Sequence, residues 1–179
     1  MRRALLALLI SFSFAISSFA APAVPATPGS NLEPEAPQWK GKPYDTRFQF
    51  SALTGVGLMG ANTGFSLYGA AAYKLLHEGF LEDINDQVYL EVMGGPIFVS
   101  GNVGGVVNGH LRWDFHRTEI WSFYALGGIG FEFGGLALGN IKMFHPRFGA
   151  GVMWNLFEFL SFRGEVSHEF TGIGVVYLL

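Results

Sequence analysis

Between Val107 and His116 the chain reads Val-Asn-Gly-His-Leu-Arg-Trp-Asp-Phe-His, with apolar residues or Gly at odd positions and polar or charged residues at even ones. A β-strand points successive side chains to opposite faces, so this segment has one apolar face and one carrying amide, imidazole, guanidinium and carboxylate groups. The same period recurs from Arg47 onward and predicts eight strands, at 47–58, 64–74, 87–98, 105–116, 119–133, 145–156, 158–168 and 171–179. Tight turns fit His116-Arg117-Thr118-Glu119 and Asn155-Leu156-Phe157. An even number of antiparallel strands leaves both ends of the sheet on one side.

The aromatic residues follow the strand ends. With the apolar face outward, Phe48, Tyr73, Trp113, Trp121, Trp154 and Tyr177 form a girdle at the end that carries the termini, and Phe65, Phe131, Phe133 and Phe148 gather at the other. Amphipathic rings collect at membrane–water interfaces, whereas strand propensity alone does not bring Trp and Tyr to one rim. The pattern therefore predicts a transmembrane barrel with an apolar exterior and a polar lumen. Parity alone leaves one alternative standing: a soluble lipocalin-like barrel of the periplasm, with the charges outside and the tryptophans inside.

Targeting signals agree with export. Arg2 and Arg3 precede an apolar run through Ile16, and Ser18-Phe19-Ala20 supplies small residues for cleavage after Ala20, so residues 1–20 read as a signal peptide. Residues 21–46 hold most of the prolines and no strand period, and read as a Pro-rich flexible leader ahead of a barrel spanning 47–179. Two stretches fit the strand pattern less well. Leu75–Asp86 is long for a turn and has room for a short helix, and Pro96 is expected to end or bulge its strand by removing a ladder hydrogen bond.

Charge and composition narrow the chemistry. The formal net charge is −3, and loss of Arg2 and Arg3 with the signal moves it to −5, which disfavours nucleic acid as a partner. There is no Cys, so disulfides and thiolate metal sites are excluded. Gly55-Val56-Gly57-Leu58-Met59-Gly60 matches a dinucleotide-binding pattern, but a strand follows instead of the helix needed to hold pyrophosphate. His110 and His116 lack a third convergent ligand, so no metal site and no cofactor are expected.

The inward positions are predicted to carry Glu91, Asn108, His110, Arg112, Asp114, Arg147, Arg163 and Glu165, three carboxylates matched by three guanidiniums. Buried ions must be paired or hydrated, so this lumen reads either as a static polar core or as a gated pore whose ion pairs open. Eight strands leave an interior that side chains nearly fill, which favours the core. Ser167-His168 is the nearest approach to a nucleophile and base, but its spacing and the outward parity of His168 do not make an active site.

The strand count, the Gly-rich run Ala125–Phe131, the segment Leu160–Glu165 and the terminal strand Gly174-Val175-Val176-Tyr177-Leu178-Leu179 resemble the small eight-stranded outer-membrane barrels, typified by the transmembrane domain of outer membrane protein A and by OmpX. The resemblance implies an all-β, antiparallel, up-and-down barrel in the outer membrane of a Gram-negative cell. It also implies a C-terminal assembly signal at Gly174, Tyr177 and Leu179, with Leu179 where the family usually ends in Phe or Trp. The implied partners are outer-membrane lipid and the barrel-assembly machinery. The expected function is that of a monomeric, non-enzymatic protein of envelope integrity or surface interactions. The alternatives are a narrow channel, a lipid A-modifying enzyme and the soluble barrel above.

Overall fold

The computed structural model describes Trp39 and residues 41–81, 83–134 and 142–179, with only the backbone at Lys142. The predicted signal peptide and the leader up to residue 38 lie outside the described residues. All eight predicted strands are present: β1 Phe48–Met59, β2 Asn62–Leu76, β3 Asp86–Val99, β4 Asn102–His116, β5 Trp121–Gly134, β6 Lys142–Phe157, β7 Leu160–Ser167 and β8 Phe170–Leu178. Each pairs antiparallel with its sequence neighbour, and β8 returns to pair with β1, closing the sheet. Closure removes the unpaired edges that an open sheet would present.

Register turns the sequence alternation into two surfaces. Phe48, Tyr73, Leu90, Leu111, Gly127 and Phe148 are successive cross-strand partners and form one outward row. Gln49, Ala72, Glu91, His110, Gly128 and Arg147 form the adjacent inward row. Among the described outward side chains of the wall none that is exposed carries a charge, Asp86 being buried, and Leu111 (50%), Val166 (62%) and Ile173 (69%) are widely exposed. The charged residues Glu91, Arg112, Asp114, Arg147, Arg163 and Glu165 are all buried inside. The soluble alternative requires the reverse, and water gives a barrel no reason to leave such a belt uncovered.

Inward glycines make this polar filling fit. A Cβ on Gly151 would run into the Tyr124 ring, and one on Gly130 into Asn108 and His145. Gly57 likewise clears space for Ser66 and Tyr68, so the dinucleotide-like run lies within β1 and its turn, where its glycines relieve crowding. The β3–β4 hairpin turns on two residues, Ser100 (φ 46°) and Gly101 (φ 82°), the paired positive φ values that a type I′ turn needs.

Several expectations change in detail: the β6–β7 turn falls at Glu158-Phe159, because Asn155, Leu156 and Phe157 still belong to β6. Among its described residues, 77–85 forms bends and a turn, not a helix. Asp86 organises this loop, accepting from the Phe80 amide at 2.9 Å and from the Trp113 indole. Trp113 is therefore half-buried beneath Phe80 (ring centroids 5.5 Å apart), unlike the exposed girdle members Phe48, Tyr73, Trp121, Trp154 and Tyr177. Pro96 neither ends nor bulges β3, because its missing N–H faces β2. The β2–β3 ladder lapses between Ser66↔Ile97 and Gly69↔Gly94 and resumes in the same register, while the β4 side pairs without a break.

Candidate functional site

Every predicted lumen residue is buried, and all but one join a single network. Glu91 sits at its centre. It accepts from Arg112, lies 3.1 Å from His110 Nε2, and takes two bonds from Arg163, at 2.9 Å from Nη1 and 2.8 Å from Nη2. Arg112 grips Asp114 with Nε and Nη2, at 2.8 and 3.0 Å, in the two-pronged geometry that suits guanidinium and carboxylate. Arg163 also donates to Glu165 at 2.6 Å and to the Tyr124 hydroxyl at 2.9 Å. Arg147 bridges Glu165 to Glu169.

The charges thus alternate in sign along one chain of contacts: Asp114, Arg112, Glu91, Arg163, Glu165, Arg147, Glu169. Each ion touches one of opposite sign, which offsets the large cost of removing it from water. The Arg112 and Arg163 guanidiniums also lie over the Tyr89 and Tyr124 rings, at 4.8 and 4.9 Å from the centroids. Asn108 is the exception. It is fully buried, but neither amide atom has a hydrogen-bond partner among the described residues, so it stands apart from the network it was expected to join.

Below this chain, at the end carrying the termini, the last leader residues enter the barrel. Tyr44 is buried, donates its hydroxyl to Asn155 Oδ1 at 2.6 Å, and exchanges backbone bonds with the Gln87 amide at 3.1 and 2.9 Å. Burial holds its phenol above the ordinary range, so the group stays a donor. Gly41 N donates to His116 O, and Trp39 O accepts from Asn85 N. Gly41 and Tyr44 are thus fixed to the barrel, while Lys42 and Asp45 between and beside them stay exposed. Tyr44→Ala is expected to lower stability by about 1–3 kcal/mol, since it leaves buried polar partners unsatisfied. Urea titration of the protein in micelles checks this, and an unchanged midpoint would mean that the strap carries no weight.

At the opposite mouth, His145 on β6 meets His168 and Glu169 of the β7–β8 turn. Spacing along the chain carries no sign of this cluster; the signal available was the shared inward parity of His145 and Arg147. The turn is fixed from both sides, by His168 N donating to Phe148 O and Leu58 N donating to Glu169 O. His168 keeps the outward exposure expected of it, its ring stacked on Phe148, and partial burial with neighbouring His145 and Arg147 pushes its imidazole below the ordinary value. Ser167 uses its hydroxyl on Phe170 O at 3.1 Å.

No protein-family model matches the chain, and no curated protein matches it. Among solved structures it is similar to Ail, the attachment invasion locus protein of Yersinia pestis, determined in complex with the heparin analogue sucrose octasulfate. Identity is 11% over 75% of this chain and 97% of that one, with a TM-score of 0.45. By its own closed wall, apolar outside and ion-paired within, the chain has the architecture of the small eight-stranded outer-membrane β-barrels.

Proposed function

We propose that this protein is a non-conducting, non-enzymatic barrel of the bacterial outer membrane, with its termini in the periplasm, acting in envelope integrity or surface contact. The observation that carries this reading is an outer wall with no exposed charge among the described side chains, around a lumen blocked at every level. Tyr44 and its partners fill the periplasmic end, the seven-ion chain fills the middle, and Met59, Tyr68, Ile97, Val106 and Phe170 pack together toward the far end. A water-filled pore leaves its lining charges hydrated; here the side chains of Arg112, Arg163 and Glu91 are wholly shielded.

The absence of catalysis is supported by where the hydroxyls lie. Ser122 Oγ is 2.9 Å from His116 Nδ1, the geometry of an activated nucleophile, but both residues are fully buried and Tyr44 covers them. Cell fractionation followed by planar-bilayer recording tests the proposal. The expected result is heat-modifiable protein in the outer-membrane fraction with conductance at background. Steady unitary currents from the unmodified protein would replace this reading with the channel, and recovery in the soluble periplasm would remove the membrane assignment.

A further inference from the structure

We propose that the mouth opposite the termini holds a binding site for a divalent transition-metal cation of the zinc class, with His145, His168 and Glu169 as ligands. One donor atom from each residue lies within 4.8 Å of the others. In a tetrahedral zinc centre, neighbouring ligand atoms stand about 3.4 Å apart, given metal–ligand bonds near 2.1 Å. The difference closes by side-chain rotation, and His168, on a turn and partly exposed, has the freedom to make it. Two imidazoles and one carboxylate suit zinc, nickel or copper, whereas calcium and magnesium call for oxygen donors throughout.

Unmet polar groups at the same place point independently to a missing ligand. Both ring nitrogens of His145 lack a hydrogen-bond partner among the described residues, although its side chain is only 10% exposed. Asn108 Oδ1 and His145 Nε2 border the same space above Gly130, and the fully buried Asn108 amide is unpartnered at both atoms. Buried polar atoms are nearly always satisfied, so a cluster of orphans marks a place where water or an ion belongs.

The local charge permits a cation. Arg147 opposes one through its contact with Glu169, but it is also paired with Glu165, and a second carboxylate faces the mouth. Glu132 Oε1 lies 3.7 Å from His145 Nδ1, and its other oxygen accepts from Gly60 N at 2.8 Å. Two carboxylates therefore stand against one guanidinium, and Glu132 is placed as the outer partner that fixes a ligating imidazole. Three protein ligands leave a fourth position free for water or an exogenous anion.

The test uses the full chain folded in detergent micelles, its folding verified by heat-sensitive migration on gels. It is titrated with Co2+, whose visible d–d bands report four-coordination, and then with Zn2+ in competition. The expected result is one Co2+ per barrel, displaced by Zn2+. His145→Ala and His168→Ala should keep the gel shift while losing the bands and roughly tenfold or more in Zn2+ affinity. Should either fail to fold, Glu169→Gln provides the same readout with little change in volume. His77→Ala, at the opposite rim, should bind as the unmodified protein does. Absence of the bands in the unmodified protein, or equal affinity after loss of both mouth histidines, overturns the site.

Discussion

Glu91→Ala is expected to destabilise the folded barrel by about 3–5 kcal/mol, the range for removing one partner from a buried ion pair. Glu91 is the acceptor shared by Arg112 and Arg163, so its loss leaves two guanidiniums facing each other across a dry lumen. Arg112 retains Asp114, and Arg163 retains Glu165. What remains uncompensated is the mutual repulsion of the two cations and the lost bonds to Glu91. Urea unfolding in micelles measures the effect, and Glu91→Gln should fall between the two, because it keeps acceptor oxygen without the charge. A cost near zero would show that water reaches this layer, and with it the sealed-lumen proposal would fail.

Leu111→Arg should cost about 2–4 kcal/mol in a bilayer, the range for a cation placed on the lipid face near the midplane. Leu111 is half exposed, near the middle of β4, and lies between Leu90 and Gly127 in the outward row. Phe157→Arg, at the end of β6, should cost much less because the guanidinium reaches the interface there. Paired folding titrations into lipid vesicles compare the two. Equal, negligible costs would mean that neither position meets hydrocarbon, and the transmembrane reading would be lost.

The barrel was legible in the sequence because its two faces differ so sharply in chemistry. In β4, Asn108, His110, Arg112 and Asp114 alternate with Val107, Gly109, Leu111 and Trp113, and a one-residue shift of register would send every charge into the opposite phase. Parity also sufficed to name the central ions, though not their partners, because Glu91 and Arg163 are 72 residues apart and meet only across the lumen. Glu132 and Tyr124 share the inward phase of β5 and were available to the same reasoning. Tyr44 was not, since it sits in an extended stretch with no period, and its burial depends on a cavity that exists only once the strands have closed. The mouth cluster was hidden for a similar reason: Glu169 lies in a turn, where alternation carries no information about direction.

The alternating chain of ions also bears on how the wall assembles. Glu91, Arg112 and Asp114 lie on the β3–β4 hairpin, so their contacts form as soon as two neighbouring strands pair. Arg163 belongs to β7 and reaches Glu91 only after the sheet has curled through most of its circuit. Until then Glu91 and Asp114 share the single guanidinium of Arg112, and Arg163 has only Glu165 of its own strand. A seam closed one residue out of step would turn β8 inside out and leave the distant halves of the chain of ions unable to meet. The lumen thus acts as proofreading for strand order, penalising each wrongly zipped circle with an unmatched charge.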